Sequence, residues 1–90
     1  MAFSYNLSDE LKEKIKTLAK KDKPLSQRLF KKITEVTNRD TETIDFYKNL
    51  RFPMEEFKRV QIGSFVLTFT VDKEKNFITF DDFDHHDNIY

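Results

Sequence analysis

The stretch Arg59-Val60-Gln61-Ile62-Gly63-Ser64-Phe65-Val66-Leu67-Thr68-Phe69-Thr70-Val71 decides the fold of this chain. Phe65, Leu67, Phe69 and Val71 fall on one face of an extended backbone, and Ser64, Val66, Thr68 and Thr70 fall on the other, which is the period-two pattern of a half-buried strand. That strand reads as the centre of a sheet. Gly63, the only glycine, lies between Val60-Gln61-Ile62 and Ser64-Phe65, where a tight reversal at positive φ is open to a residue without a Cβ. It joins two strands. Downstream, Asp72-Lys73-Glu74-Lys75-Asn76 is a polar run of hairpin length, after which Phe77-Ile78-Thr79-Phe80 resumes β-favouring residues. The last third of the chain is therefore three successive strands that deliver His85, His86 and Tyr90 at their end.

Upstream, Phe3, Tyr5 and Leu7 alternate with Ser4 and Asn6 as a short first strand. Ser8 stands at an N-cap position, with Asp9 and Glu10 suited to the positive end of a helix dipole. Leu11, Ile15, Leu18 and Ala19 then recur at helical spacing, while Lys12, Lys14, Lys16, Lys20 and Lys21 lie off that stripe as a solvated face. The helix ends near Lys21. Pro24 fits the first turn of a second helix with apolar positions Leu25, Leu29, Phe30, Ile33 and Val36. Between Ile44 and Leu50 the pattern fits either a short helix or an irregular crossover. The order predicts an α+β fold in one domain, residues 1–90: an N-terminal short strand and a two-helix hairpin packed on a small, mainly antiparallel sheet.

Ninety residues allow one core. With no cysteine there is no disulfide framework, thiolate nucleophile or thiolate metal ligand, and a cytoplasmic setting is the default expectation. No run approaches the roughly 18 apolar residues of a membrane span, and the N-terminus lacks a signal-peptide layout. Ten phenylalanines predict an aromatic core. The formal charge is zero but unevenly divided: residues 1–39 carry ten Lys or Arg against five acids, and residues 40–90 carry six against eleven. The molecule is dipolar, with its strands in the acidic half.

Histidine is the usual proton-transfer group near neutral pH, and His85 and His86 are the only two. They read either as catalytic or as solvated residues beside acids. Asp82, Asp84 and His86 alternate along a strand and could converge on a divalent ion, but this spacing is weak support, and neither a metal nor another cofactor is expected. Arg59 either grips a phosphate or pairs with Glu55, Glu56 or an aspartate of the adjoining strand. Lys48 and Arg51 flank Tyr47 and Phe52, an interleaving of basic and aromatic residues that can hold single-stranded RNA, and Lys58 joins them as an RNA-binding candidate. Tyr90 reads as a terminal anchor or as a catalytic phenol.

Lys48-Asn49-Leu50, then Phe57-Lys58-Arg59-Val60-Gln61-Ile62-Gly63-Ser64-Phe65-Val66, then His85-His86-Asp87-Asn88-Ile89-Tyr90 resemble the RelE/ParE superfamily of toxins from toxin–antitoxin modules. The resemblance implies an antitoxin-like protein partner. For RelE-like members it also implies ribosome-dependent, metal-independent cleavage of mRNA, in which the ribose 2′-hydroxyl attacks the neighbouring phosphate. ParE-like members act on DNA gyrase instead. By position, the resemblance assigns catalytic roles to Arg59, His85, His86 and Tyr90. It also marks two departures: Gln61 and Val66 stand where the family pattern has arginines, which makes a catalytically silent protein that binds an antitoxin-like peptide the alternative.

Overall fold

The computed structural model describes residues 2–89. The three predicted strands are β2 (Lys58–Ile62), β3 (Phe65–Asp72) and β4 (Phe77–His85). Before them come β1 (Ser4–Leu7), α1 (Asp9–Lys21) and α2 (Lys23–Thr37), and a single helical turn, α3 (His86–Ile89), follows. The sheet order is β1-β4-β3-β2, with β1 parallel to β4 and the other pairs antiparallel. This is the expected α+β arrangement, with the parallel first strand as its mixed element.

Local chemistry sets the boundaries. The Ser8 hydroxyl accepts from the Leu11 amide at 3.1 Å to cap α1, and the Asp22 carboxylate accepts from the Leu25 amide at 3.1 Å to cap α2. Gly63 turns β2 into β3 at φ 62°, as its isolation predicts, and Asn76 closes the β3–β4 hairpin at φ 54°, a conformation asparagine tolerates better than most residues. The segment left open between helix and crossover is a 3₁₀ turn, Ile44–Phe46, followed by extended chain.

Leu11 of α1 and Leu29, Ile33 and Val36 of α2 pack on Leu67, Phe69, Ile78 and Phe80 of the sheet, with Phe3, Ile44 and Tyr47 closing the edges. The core is aromatic, as composition predicts: Phe69 lies 5.6 Å from Phe80, and Tyr47 meets Phe69 edge-on at 5.8 Å. Each large side chain withdrawn in this way contributes about 1.5 to 3 kcal/mol. Two stripe assignments are corrected. Ala19 and Phe30 are exposed, because each lies at the margin of its helix's apolar arc, and the small Ser26 is buried instead.

β4 continues well past Phe80. Its register against β3 shifts between Thr68 and Phe69, where Thr68 pairs with Asp82 and Phe69 with Phe80, leaving Asp81 as the extra residue of a bulge. In a regular strand Phe80 and Phe83 would face opposite ways. The bulge turns both toward the helices, where both are buried.

Candidate nucleic-acid cleft

Because successive strand residues point to opposite faces, Lys58 and Arg59 diverge. Lys58 pairs with Phe69 on the helix-facing side and is 8% exposed. Its ammonium donates to the Tyr47 carbonyl at 3.0 Å and to Asn49 Oδ1 at 3.0 Å, and lies 3.2 Å from the Asp45 carboxylate. Asp45 is held below the usual aspartate range by its hydrogen bond from Lys73 and then by Lys58. As an RNA contact Lys58 is therefore set aside: its charge is already committed to holding the segment before β2.

That segment folds into the wall of a cleft. The Arg59 amide donates to the Lys48 carbonyl, the Leu50 amide to the Phe57 carbonyl, the Met54 amide to the Arg51 carbonyl and the Phe57 amide to the Met54 carbonyl, all within 2.8 to 3.0 Å. Asn49 adds a side-chain bond to the Glu55 carbonyl at 2.6 Å. The resulting hollow, about 570 Å³, is lined by Asn49, Leu50, Arg51, Phe52, Pro53, Met54, Arg59 and Ile89. Two guanidinium residues, Arg51 and Arg59, thus share one cleft with Phe52, whose side chain is 84% exposed. Among the described residues the lining holds no acidic side chain. Guanidinium groups match phosphate oxygens in a bidentate fork, and an exposed ring offers a stacking surface for a base.

Lys48 is exposed and adjoins the cleft through its carbonyl bond to Arg59, but its side chain is not part of the lining. The two histidines also lie outside the lining, and the expected convergence of His85 with Arg59 is corrected: His85 pairs with Phe65, whose own β2 partner is Ile62, on the helix-facing side, opposite Arg59. His85 ends β4 with its ring edge-on to Phe65 at 5.7 Å, and His86 opens α3, its amide bonded to the Ser64 carbonyl at 3.0 Å. Their rings are 4.9 Å apart, and the Asp87 carboxylate reaches both, 3.5 Å from His85 Nδ1 and 3.1 Å from His86 Nε2. The single turn of α3 separates His86 from Ile89, which does reach the cleft. Tyr90 lies outside the described residues.

The convergence of Asp82, Asp84 and His86 on one site is corrected. Asp82 and Asp84 turn to Lys14 of α1, whose ammonium lies 2.6 Å from Asp82 and 3.5 Å from Asp84. Burial works against the Lys14 charge, but the Asp82 hydrogen bond and the surrounding carboxylates hold its pKa above the ordinary lysine value. Lys14 is thus a tether between α1 and β4 rather than part of a purely solvated face. Sequence reading missed Asn49, Leu50, Pro53, Met54 and Ile89 as cleft residues. Phe52 is legible from its place beside Arg51 in the interleaving of basic and aromatic residues, whereas the other aromatic of that pattern, Tyr47, is buried in the core. Ile89 gave no signal, because α3 is too short to show a period.

No family model matches the chain. Among curated proteins it is 43% identical over 98% of its length, and over 90% of the relative, to a Methanocaldococcus jannaschii protein assigned as toxin RelE4. It is 41% identical to an uncharacterized Methanosarcina mazei protein, covering 93% of this chain and 94% of the other. Solved structures of the same fold include the isolated E. coli RelE toxin, with a TM-score of 0.72 at 16% identity over 93% of this chain and 84% of that one. The toxin–antitoxin complex RelBE of E. coli also matches, with a TM-score of 0.68 at 16% identity over 93% and 96% of the two chains. The chain belongs to the RelE family of toxins, as the resemblance of its strand residues and tail implied.

Proposed function

We propose that this protein is the toxin of a toxin–antitoxin module and cleaves mRNA on the ribosome. The observation that carries the reading is the convergence of Arg51 and Arg59 on one cleft beside the exposed Phe52. In the cleavage, a ribose 2′-oxygen bonds to the adjacent phosphorus as its proton leaves to a base, and the 5′-oxygen departs with a proton from an acid. The products are a 2′,3′-cyclic phosphate and a 5′-hydroxyl. The two guanidiniums stabilise charge that grows on the phosphate, and Phe52 stacks a base to orient the scissile bond. His86, which opens α3 one helical turn from the cleft wall, supplies proton transfer with Tyr90 and Lys48 as auxiliaries, whereas His85 pairs with Phe65 on the opposite side of the sheet from Arg59 and is set aside. Neither a metal nor a cofactor takes part in this step.

Inducing the gene in cells tests this: growth should stop and transcripts should be cut, and Arg59→Ala should relieve both. Normal growth with intact transcripts on induction of the unaltered chain would refute it.

A second reading rests on a separate feature. Leu18 of α1 with Phe65 and Phe83 of the sheet form the apolar floor of a groove of about 390 Å³, rimmed by Glu13, Lys14, Thr17, Lys21 and Asp84, a shape suited to an amphipathic antitoxin helix. The toxin–antitoxin complex among the fold's neighbours supports such a partner. Antitoxin binding accompanies the nuclease reading, and it would be the whole function if Gln61 and Val66 leave the cleft too weakly cationic to cut. Co-expression with the adjacent reading frame, followed by mass measurement of the purified species, separates a heterodimer from a lone chain.

A further inference from the structure

We propose that His85, His86 and Asp87 form a binding site for a borderline divalent cation of the zinc type. One donor atom from each residue lies within 4.8 Å of the others. The Asp87 carboxylate stands 3.5 Å from His85 Nδ1 and 3.1 Å from His86 Nε2. Donors bound to tetrahedral zinc at roughly 2.0 to 2.2 Å lie about 3.4 Å apart; here one Asp87 oxygen faces each imidazole, and modest side-chain rotations bring a single oxygen and both nitrogens, now within 4.8 Å of one another, to that spacing.

The backbone at this corner is fixed before any ion arrives. The Asp84 carboxylate accepts from the His85 amide at 2.8 Å and from Asn88 Nδ2 at 3.1 Å, and the His86 amide is tied to the Ser64 carbonyl. Phe65 backs the His85 ring. An ion would displace the long bond that His85 Nδ1 accepts from the Asp87 amide, 3.3 Å, and replace the direct contacts of the Asp87 carboxylate with the two rings.

The donor set defines the ion. Two imidazole nitrogens and one carboxylate oxygen suit zinc, copper(II) or nickel, whereas magnesium seeks an octahedron of oxygens. Three protein ligands leave a fourth position for water or a ligand. The site rests on the geometry of the corner alone. One consequence rests on the cleavage reading: an ion held by the His86 imidazole withdraws it from proton transfer, so zinc would silence the nuclease.

The test is zinc chloride titrated into chelator-stripped, full-length protein by calorimetry, with thermal melting in parallel and no RNA present. One saturable equivalent is expected, together with a zinc-dependent rise in Tm. His86→Ala and Asp87→Asn change exposed side chains and should retain the fold. Each should weaken binding by at least the 10- to 100-fold that even an outer-shell change typically costs, and should abolish the Tm rise. An absence of saturable heat, unchanged affinity in both variants, or equal binding of magnesium would overturn the site.

Discussion

Gln61 and Val66 are register partners across β2 and β3, in the row beside the Arg59–Thr68 pair. The two positions at which the family pattern carries arginine are therefore neighbours on the sheet face that presents Arg59. Their environments differ. Gln61 is exposed and donates to the Gly63 carbonyl at 2.8 Å, whereas Val66 is 1% exposed.

A Gln61→Arg substitution should therefore strengthen the cleft without disturbing the core. Residues i and i+2 on a strand share a face about 6.6 Å apart, which places the new guanidinium beside Arg59. Cleavage of ribosome-bound mRNA should rise about tenfold, near the worth of one charge-assisted hydrogen bond. Val66→Arg should instead destabilise the fold in urea unfolding by about 1 to 3 kcal/mol, because it forces a long charged side chain into a closely packed, 1% exposed position, even with Asp84 as its cross-strand partner.

Lys58→Met should loosen the cleft wall. The Tyr47 carbonyl and Asn49 Oδ1 would lose their shared donor, at a cost of about 2 to 3 kcal/mol. Amide exchange should accelerate in residues 48–57 more than in β3, and a uniform increase across the sheet would argue against a local anchor.

Stability should fall in acid. Asp84 is held below the ordinary aspartate value by its Asn88 and His85 hydrogen bonds, and Glu35 below the glutamate value by the Tyr47 hydroxyl. A carboxyl whose folded pKa is depressed adds stability above its unfolded pKa, about 4, and loses it as pH falls through the folded value. Tm should drop as pH goes from about 5 to about 3, and Asp84→Asn should flatten that drop.

Asp81 behaves oppositely. Burial, then the neighbouring Asp82, raises its pKa, so its charge is unfavourable in the folded state at neutral pH. Asp81→Asn should raise Tm at pH 7 and change little below the unfolded pKa of about 4. A lower Tm at pH 7 would show that this carboxylate stabilises the bulge.

Much of the fold was legible because local signals agreed with the tertiary outcome. The alternation of Phe65, Leu67, Phe69 and Val71, the isolated Gly63, the Ser8 cap and the first-turn Pro24 each act over a few residues. What stayed hidden depends on contacts distant in sequence. The Asp81 bulge becomes visible only once β3 and β4 are in register. Lys58 looked basic and accessible, but its partners are fixed by how residues 45–49 fold back. The candidate site was legible in part: Arg59 and Arg51 share a cleft, while His85 ends β4 on the other face of the sheet, paired with Phe65, and His86 opens α3 one turn from Ile89.

The most direct measurement is end-mapping of mRNA on purified ribosomes incubated with the protein and with folded Arg59→Ala. Cuts bearing 2′,3′-cyclic phosphate ends, reduced about 100-fold or more by the substitution, are the predicted result for loss of a group that stabilises phosphate charge in the transition state. Uncut message with the parent protein, or equal cutting by Arg59→Ala, would contradict the assignment of the arginine cleft as the nuclease site.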